Sequence, residues 1–417
     1  MSTVARATAP VAASERLIVF LVGAIQFVNI VDFMMVMPLG PYYAEALGIS
    51  TAHLGLVAGS YTAAAAVAGL VAARFLDRFD RRKALGVALL GLVMGTAAGA
   101  LAQGLGTLVL ARAIAGAFGG PATSISLSII ADTVPPARRG RAMGAVMGAF
   151  SVASVLGVPF GLRLAIGGGW RLPFLVVAAM GLVVVVLALL KMPPLRGHLA
   201  AARAAGTRGG PKLSLLLRDS TIRLALAMNG LVMLTAFLVV PNIAPHLLQN
   251  LDFPRDRLDL GYMAGGAASF LIMRIAGHAI DRHGPARVSA VGTALMIGVL
   301  YFEFIAPGTI GFGGVLVGFV LFMGGMSIRN VSMSSLSTRV PRGDQRAGYM
   351  SLQSTAQHVS SATGAFVSSR LLHEAPGGRL QGIATVSVVS AVLALGLPPM
   401  LAAIGRRVRE RELQSSG

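Results

Sequence analysis

The chain contains no cysteine, three lysines and one tryptophan in 417 residues, and only 12% of its residues are charged. Without thiols there are no disulfides, zinc–thiolate sites or iron–sulfur clusters. A soluble protein carries about 25% charged residues, so the deficit excludes an ordinary soluble domain. Enzyme signatures are missing too: no phosphate loop or ATP-binding motif, no His/Asp metal cluster and no Ser/His/Asp arrangement. Apolar residues fill the space, at 55% of the chain and a mean hydropathy of +0.75.

Twelve apolar stretches run at 17–39, 53–75, 84–102, 106–130, 142–165, 172–191, 221–243, 258–279, 288–306, 309–331, 345–371 and 381–404. Most are near the roughly 20 residues that span a bilayer as a helix. They are continuous runs rather than the alternating segments of a barrel. The sequence therefore predicts an all-α polytopic membrane protein with 12 transmembrane helices. The first stretch is too long for a signal-peptide core and contains Asp32, so it is expected to be retained.

The net charge of +19 would suggest nucleic acid in a soluble chain. Here it is distributed by loop. With a cytoplasmic N-terminus, the inner loops and tails hold 27 Lys/Arg and 9 Asp/Glu, and the outer loops 6 and 6. That asymmetry follows the positive-inside rule. It predicts both termini in the cytoplasm and leaves the bilayer, not nucleic acid, as the partner. The preference for arginine over lysine, with abundant alanine and glycine, suggests a bacterial gene and an inner-membrane location.

The longest hydrophilic interruption bisects the chain and contains Pro193, Pro194, Gly206, Gly209, Gly210 and Pro211 among basic residues. That composition fits a flexible cytoplasmic linker. The expected organisation is a tail at 1–16, a six-helix bundle at 17–191, a linker at 192–220, a second bundle at 221–404 and a tail at 405–417. The halves echo each other. Asp77-Arg78-Phe79-Asp80-Arg81-Arg82 after the second span returns 204 residues later as Asp281-Arg282-His283-Gly284 after the eighth. Val134-Pro135 after the fourth span returns 206 residues later as Val340-Pro341. A duplicated six-helix unit follows, with a site expected near the midplane between the halves.

These loops resemble the signature of the major facilitator superfamily, roughly G-x-x-x-D-R-x-G-R-R/K, and the resemblance covers the whole chain. Gly277 to Gly284 matches its first eight positions. The first copy keeps Asp77, Arg78, Arg81 and Arg82 but has Ala73 and Asp80 at the glycine positions. Asp tolerates left-handed geometry better than most residues. The resemblance implies the major facilitator fold of two pseudo-symmetric six-helix bundles. It also implies a conformational latch at Asp77, Arg78, Arg81, Arg82, Asp281, Arg282 and Gly284. In that latch Asp77 would meet Gln345 and Arg346, and Asp281 would meet Arg141.

Two charges lie within membrane spans of the first half. An ionised residue at the bilayer centre costs about 2.5–3.5 kcal/mol on insertion scales, and such residues are functional candidates by default. Asp32 lies roughly 10 Å from the outer end of the first span and Arg112 roughly 7–8 Å from that of the fourth, at 1.5 Å per residue. A pair at matched depth reduces the cost of both. It is either a structural ion pair or a coupling site. Arg112 and Gly116 resemble the family's second signature. Gly148, Gly157, Pro159 and Gly161 resemble its antiporter motif, expected to bend the fifth helix at an interface. Gly91, Gly95 and Gly99 form a small-residue ladder read as packing. In the second half Asn229, Asn242, Arg329, Asn330, Gln353, Gln357 and His358 are polar at membrane depth and would form the other cavity wall. Arg329 is either buried or snorkelling to the inner face. His358 is expected to bond to a neighbouring helix, and Glu303 to be interfacial.

The resulting expectation is a monomeric, cofactor-free secondary transporter, a proton-coupled antiporter exporting small drug-like or sugar-like molecules by alternating access. The alternatives are an uptake symporter or facilitator using the same residues, or a non-transporting membrane sensor.

Overall fold

The computed structural model describes residues 9–75, 79–196, 213–308, 311–342, 345–376 and 378–416. Helices α1 (Ala9–Met35), α2 (Leu54–Phe75), α3 (Arg81–Ala100) and α4 (Leu105–Thr133) open the first half. Helix α5 runs in three continuous pieces, Pro136–Val152, a π-helical segment Ala153–Gly157, and Val158–Gly168. Helix α6 (Arg171–Lys191) closes the half. The second half repeats the plan. Helix α7 (Ser220–Val239) passes through a 3₁₀ turn into Ile243–Gln249. Helix α8 (Leu258–His283) precedes α9 (Pro285–Val299), which ends in a π-helical segment Leu300–Ile305. Then follow α10 (Phe312–Ser337), α11 (Arg346–Leu371) and α12 (Ile383–Ala394 and Leu397–Ser416). The twelfth span, expected to end at 404, continues as helix to Ser416, with Ile404 and Val408 buried. Most of the predicted linker, residues 197–212, lies outside the described residues.

The helices close their own backbone hydrogen bonds, which hydrocarbon requires because it offers no other partner. Eleven are long and apolar enough to cross a membrane. The twelfth, α11, is not, because it is rich in Ser, Gln and Thr. It packs between α2 and α7, which buries Ser361, Ser368 and Ser369 and leaves Gln353, Gln357 and His358 half-exposed. Large apolar side chains stand exposed on α3 (Val87, Leu90, Met94), α6 (Leu182, Val183, Leu190), α9 (Val291, Phe302) and α12 (Val388, Val392). On a soluble protein such patches would drive aggregation. In a bilayer they form part of the lipid contact, as do Leu271 and Ile275 of α8 and Leu156 and Phe160 of α5.

Both described termini lie at one face. There Glu15 pairs with Arg138 at 2.8 Å, Asp219 with Arg411 at 2.7 Å and Arg339 with Glu412 at 2.9 Å, each within one half. The far face is different. Glu45 pairs with Arg255 at 2.6 Å and Asp259 with Arg163 at 3.1 Å. The Thr51 amide donates to Glu374 at 3.0 Å. These contacts join the halves, and every ion pair between the halves among the described residues is on this far face. Two helix seams continue the closure. A Cβ at Gly55 would collide with the Ala365 carbonyl, which lets α2 lie directly on α11. A Cβ at Gly266 of α8 would stand 2.7 Å from the Ser154 carbonyl in the α5 π segment. The halves are sealed at the far face.

Candidate functional site

Asp32 and Arg112 meet. Arg112 Nη1 donates to both carboxylate oxygens at 2.9 and 3.0 Å, and its Nη2 reaches the Asp32 carbonyl at 3.4 Å. Both side chains are inaccessible, 0% for Asp32 and 1% for Arg112. Thr96 of α3 donates to the same carboxylate at 2.7 Å. The guanidinium stacks 4.7 Å from the centre of the Tyr61 ring. Tyr61 donates to Asn29 at 2.8 Å, and Asn29 donates to the Gly119 carbonyl and Thr123 at 2.9 and 2.8 Å. Four helices, α1 to α4, thus hold one charge pair. A buried ion pair survives only with such additional hydrogen bonds.

Glycines make the approach possible. A Cβ at Gly116 would collide with the Tyr61 carbonyl, so the arginine–glycine spacing on α4 seats its arginine over the α2 tyrosine. On α3, Gly91 and Gly95 lie against Phe118 and Ala115 of α4, and Gly99 against Phe174 of α6. The ladder is packing. The α5 motif behaves partly as expected. Pro159 follows the π segment, Gly157 abuts Val31 and Gly161 faces Met35 of α1. Gly148 has no neighbour within 4 Å of a built Cβ, so it takes no part in that interface.

The second half holds a different arrangement. Arg329 of α10 is 0% exposed, so it does not snorkel. Its Nη2 donates to Thr235 of α7 at 2.7 Å, and Nη1 contacts the sulfurs of Met296 (α9) at 2.7 Å and Met326 at 3.8 Å. Its Nε has no partner, and no carboxylate pairs with it among the described residues. Asn229 donates to the Ala225 carbonyl and Ser337, each at 2.7 Å, and accepts from Gln357 at 3.2 Å. Asn242 donates to Leu238 O and Ser368 at 3.1 and 3.2 Å. Both asparagines are fully buried, so they brace helix contacts rather than present an open wall. Asn330, Gln353 and His358 are half-buried, and the Gln353 Oε1 lacks a partner. The interhelical bond expected of His358 is absent among the described residues. Glu303 does lie near the end of its helix, but at 3% exposed it is packed inside the protein. Its carboxyl fits against Gly318, where a Cβ would overlap it. Its carbonyl bonds His246 at 2.9 Å.

The signature loops divide. Asp77 and Arg78 lie outside the described residues. Arg81 pairs with Asp132 at 3.0 Å, and Arg82 donates to the Met192 carbonyl at 3.0 Å, all within the first half. Asp80 is not left-handed. With φ −57° and ψ 121° it caps α3, accepting from the Arg82 amide at 2.9 Å. Burial alone would raise its pKa. Hydrogen bonds from the Leu195 amide, Arg196 and the Arg82 amide outweigh burial and hold it below the usual carboxylate value. Gly284, at the matching position, has φ +82°, a region that glycine enters at little cost. Asp281 and Arg282 lie in the last turn of α8, both exposed. Asp281 lines a cleft of 480 Å³ with Arg274, His278 and Ser335. The expected contact of Asp281 with Arg141 is not formed among the described residues. Gly277 has open space around it. No group of three His, Asp or Glu could hold a metal among the described residues.

Thr96, Tyr61, Asn29, Thr235 and His246 were not read from the sequence. Asn29 carried a signal, since it precedes Asp32 by three residues and so shares its helix face.

Comparison with known proteins agrees with this architecture. A chloramphenicol resistance protein from Streptomyces lividans is 27% identical over 373 residues, covering 88% of this chain and 92% of that protein. A triacylglyceride transporter of Mycolicibacterium hassiacum is 31% identical over 152 residues, 36% of this chain and 28% of that protein. Among solved structures, a bacterial homologue of the human lysosomal transporter Spinster, inward-facing and unoccupied, superposes with a TM-score of 0.73. It is 17% identical and covers 95% of this chain and 98% of that one. A D-xylose–proton symporter gives 0.69 at 17% identity, over 94% and 97%. At these identities the structures report the fold. The Major Facilitator Superfamily profile matches residues 22–365, and the chain belongs to this family of multi-pass membrane transporters.

Proposed function

We propose that the protein is a proton-coupled antiporter that exports small amphiphilic molecules across the bacterial inner membrane, with both termini in the cytoplasm. The observation that carries this reading is the Asp32–Arg112–Thr96 cluster, a fully buried carboxylate in the first bundle with its donors already in place. The chloramphenicol resistance relative supports export. With cytoplasmic termini, the far-face seal makes this the inward-facing state. Half-exposed Asn330, Gln353, Gln357 and His358, backed by Asn229 and Asn242, line the second-half wall of the cavity.

In the outward-facing state Asp32 takes a proton from outside. The neutral carboxyl releases part of its hold on Arg112, the guanidinium turns toward Tyr61, and the outer seam closes. On the inner side the proton leaves as substrate enters. The latch of Asp77, Arg78 and Asp281 forms only when the cytoplasmic ends approach, consistent with Asp281 being exposed here. One proton moving down 100 mV supplies about 2.3 kcal/mol, and each pH unit adds about 1.4 kcal/mol.

The test is accumulation of chloramphenicol and amphiphilic dyes in efflux-deficient bacteria expressing the native chain or Asp32→Asn, with and without a protonophore. The expected result is lowered accumulation with the native chain only, abolished by the protonophore. An Asp32→Asn protein that still pumps against a gradient sinks the scheme.

A further inference from the structure

Arg329 is the one guanidinium in the second bundle that is wholly buried among the described residues, and its environment is incomplete. It has five N–H donors and one oxygen acceptor, Thr235 Oγ1 at 2.7 Å. That hydroxyl donates its own proton to the Leu231 carbonyl at 2.9 Å. The remaining contacts are the sulfurs of Met296 and Met326, and thioethers are weak acceptors. Nε has none. No acid among the described residues serves. Asp32 is held by Arg112 in the other half. Glu303 lies against Gly318, eleven residues along α10, about 16 Å by helical rise.

The way in is also visible. Met326 touches Arg329 on one side. On the other it packs against the apolar cluster that joins the halves, with Phe33, Met37 and Phe237. A methionine is unbranched and adapts its shape readily, so its movement would open the guanidinium to that seam. The two phenylalanines there stack at 6.0 Å.

We propose that Arg329 receives the acidic group of an organic anion with an apolar or aromatic body, entering from the seam past Met326. The planar fork of a guanidinium takes a carboxylate through two parallel hydrogen bonds. The thioether contacts yield to it, and the ligand's body replaces Met326 against Phe33 and Phe237. The proposal rests on the reading of the chain as a small-molecule carrier, but its test does not use transport.

Purified native protein and Arg329→Met would be titrated at constant ionic strength with 1-naphthoate, the uncharged 1-naphthamide, and chloride. Binding would be read by calorimetry and by thermal unfolding. A hydrogen-bonded charge pair predicts naphthoate binding at least about tenfold tighter to the native chain than to Arg329→Met. The amide should bind the two alike, and Met326→Ala should speed naphthoate association. Arg329→Lys keeps the charge but not the fork. It should fall between the two, and it carries the comparison if Arg329→Met is not recovered folded. Equal naphthoate binding by native and variant overturns the proposal. Chloride reproducing the whole effect overturns the organic part, since the ligand is then the inorganic ion. A chain that binds naphthoate through Arg329 but exports nothing overturns only the transport reading. One that exports chloramphenicol yet binds acid and amide alike overturns only this one.

Discussion

Two arginines sit buried at corresponding helices of the two halves, Arg112 on α4 and Arg329 on α10, and they are housed differently. Arg112 has a carboxylate from the first helix of its bundle, a threonine beside that carboxylate from the third, and a tyrosine ring. Arg329 has a threonine from the first helix of its bundle and a methionine from the third, with no acid. The buried arginine of the first half has a carboxylate partner and that of the second does not, although each leaves its Nε without a partner. A duplicated scaffold therefore does not duplicate its charge balance.

The contrast can be broken most forcefully at Asp32. Asp32→Leu strands Arg112, and removing one partner of a buried pair costs about 3–5 kcal/mol. Thermal unfolding in detergent should show that loss, and the double variant Asp32→Leu/Arg112→Met should recover most of it. A single variant as stable as the double would mean that the carboxylate compensates nothing. At Arg329 the sign reverses. Replacing a buried, poorly compensated charge with an apolar side chain of similar length should gain about 1–4 kcal/mol, so Arg329→Met should unfold at a higher temperature than the ligand-free native chain.

Glycine substitutions sharpen the same comparison through packing. Gly116→Val drives a side chain into the Tyr61 carbonyl, an overpacking cost of about 1–3 kcal/mol, whereas Gly277→Val meets open space and should leave the unfolding midpoint nearly unchanged. The smallest effect belongs to the loops. Asp80→Ala removes the α3 cap at about 1 kcal/mol. The Asp80 carboxyl is held below its ordinary value of about 3.9, so its stabilisation is present above that pH. It is lost as the pH falls through the folded value. The native-minus-variant difference should be constant from neutral pH down to about 5 and shrink below about 4.

Much of this was legible because membrane segments make charge conspicuous. Asp32 and Arg112 stand out in apolar runs, and equal depth predicted their contact. Their companions did not stand out: threonine and tyrosine are unremarkable in a helix, and only the rotation of α2 and α3 decides whether Thr96 and Tyr61 face the pair. Arg329 lay close enough to a predicted helix end that burial and snorkelling looked alike. The burial of Glu303 was not legible because Leu300–Ile305 is π-helical. An added residue in a turn shifts later side chains by about 100° relative to a 3.6-residue repeat. The Asp281–Arg141 contact was expected at the face opposite the one where ion pairs join the halves here, and it is not formed among the described residues.

Helix α11 has a consequence for how the chain is made. With serines, glutamines and a histidine along its length, it has little tendency to partition into lipid alone, since polar residues at a helix centre oppose insertion. Its main contacts, α2 and α7, both precede it in the chain. During synthesis α11 must therefore enter the membrane against helices already there, using their surface rather than hydrocarbon as its solvent. Assembly of the second bundle is then a late, partner-dependent step of biogenesis, and variants that unseat α2 should be cleared by quality-control proteases before they ever reach a transport assay.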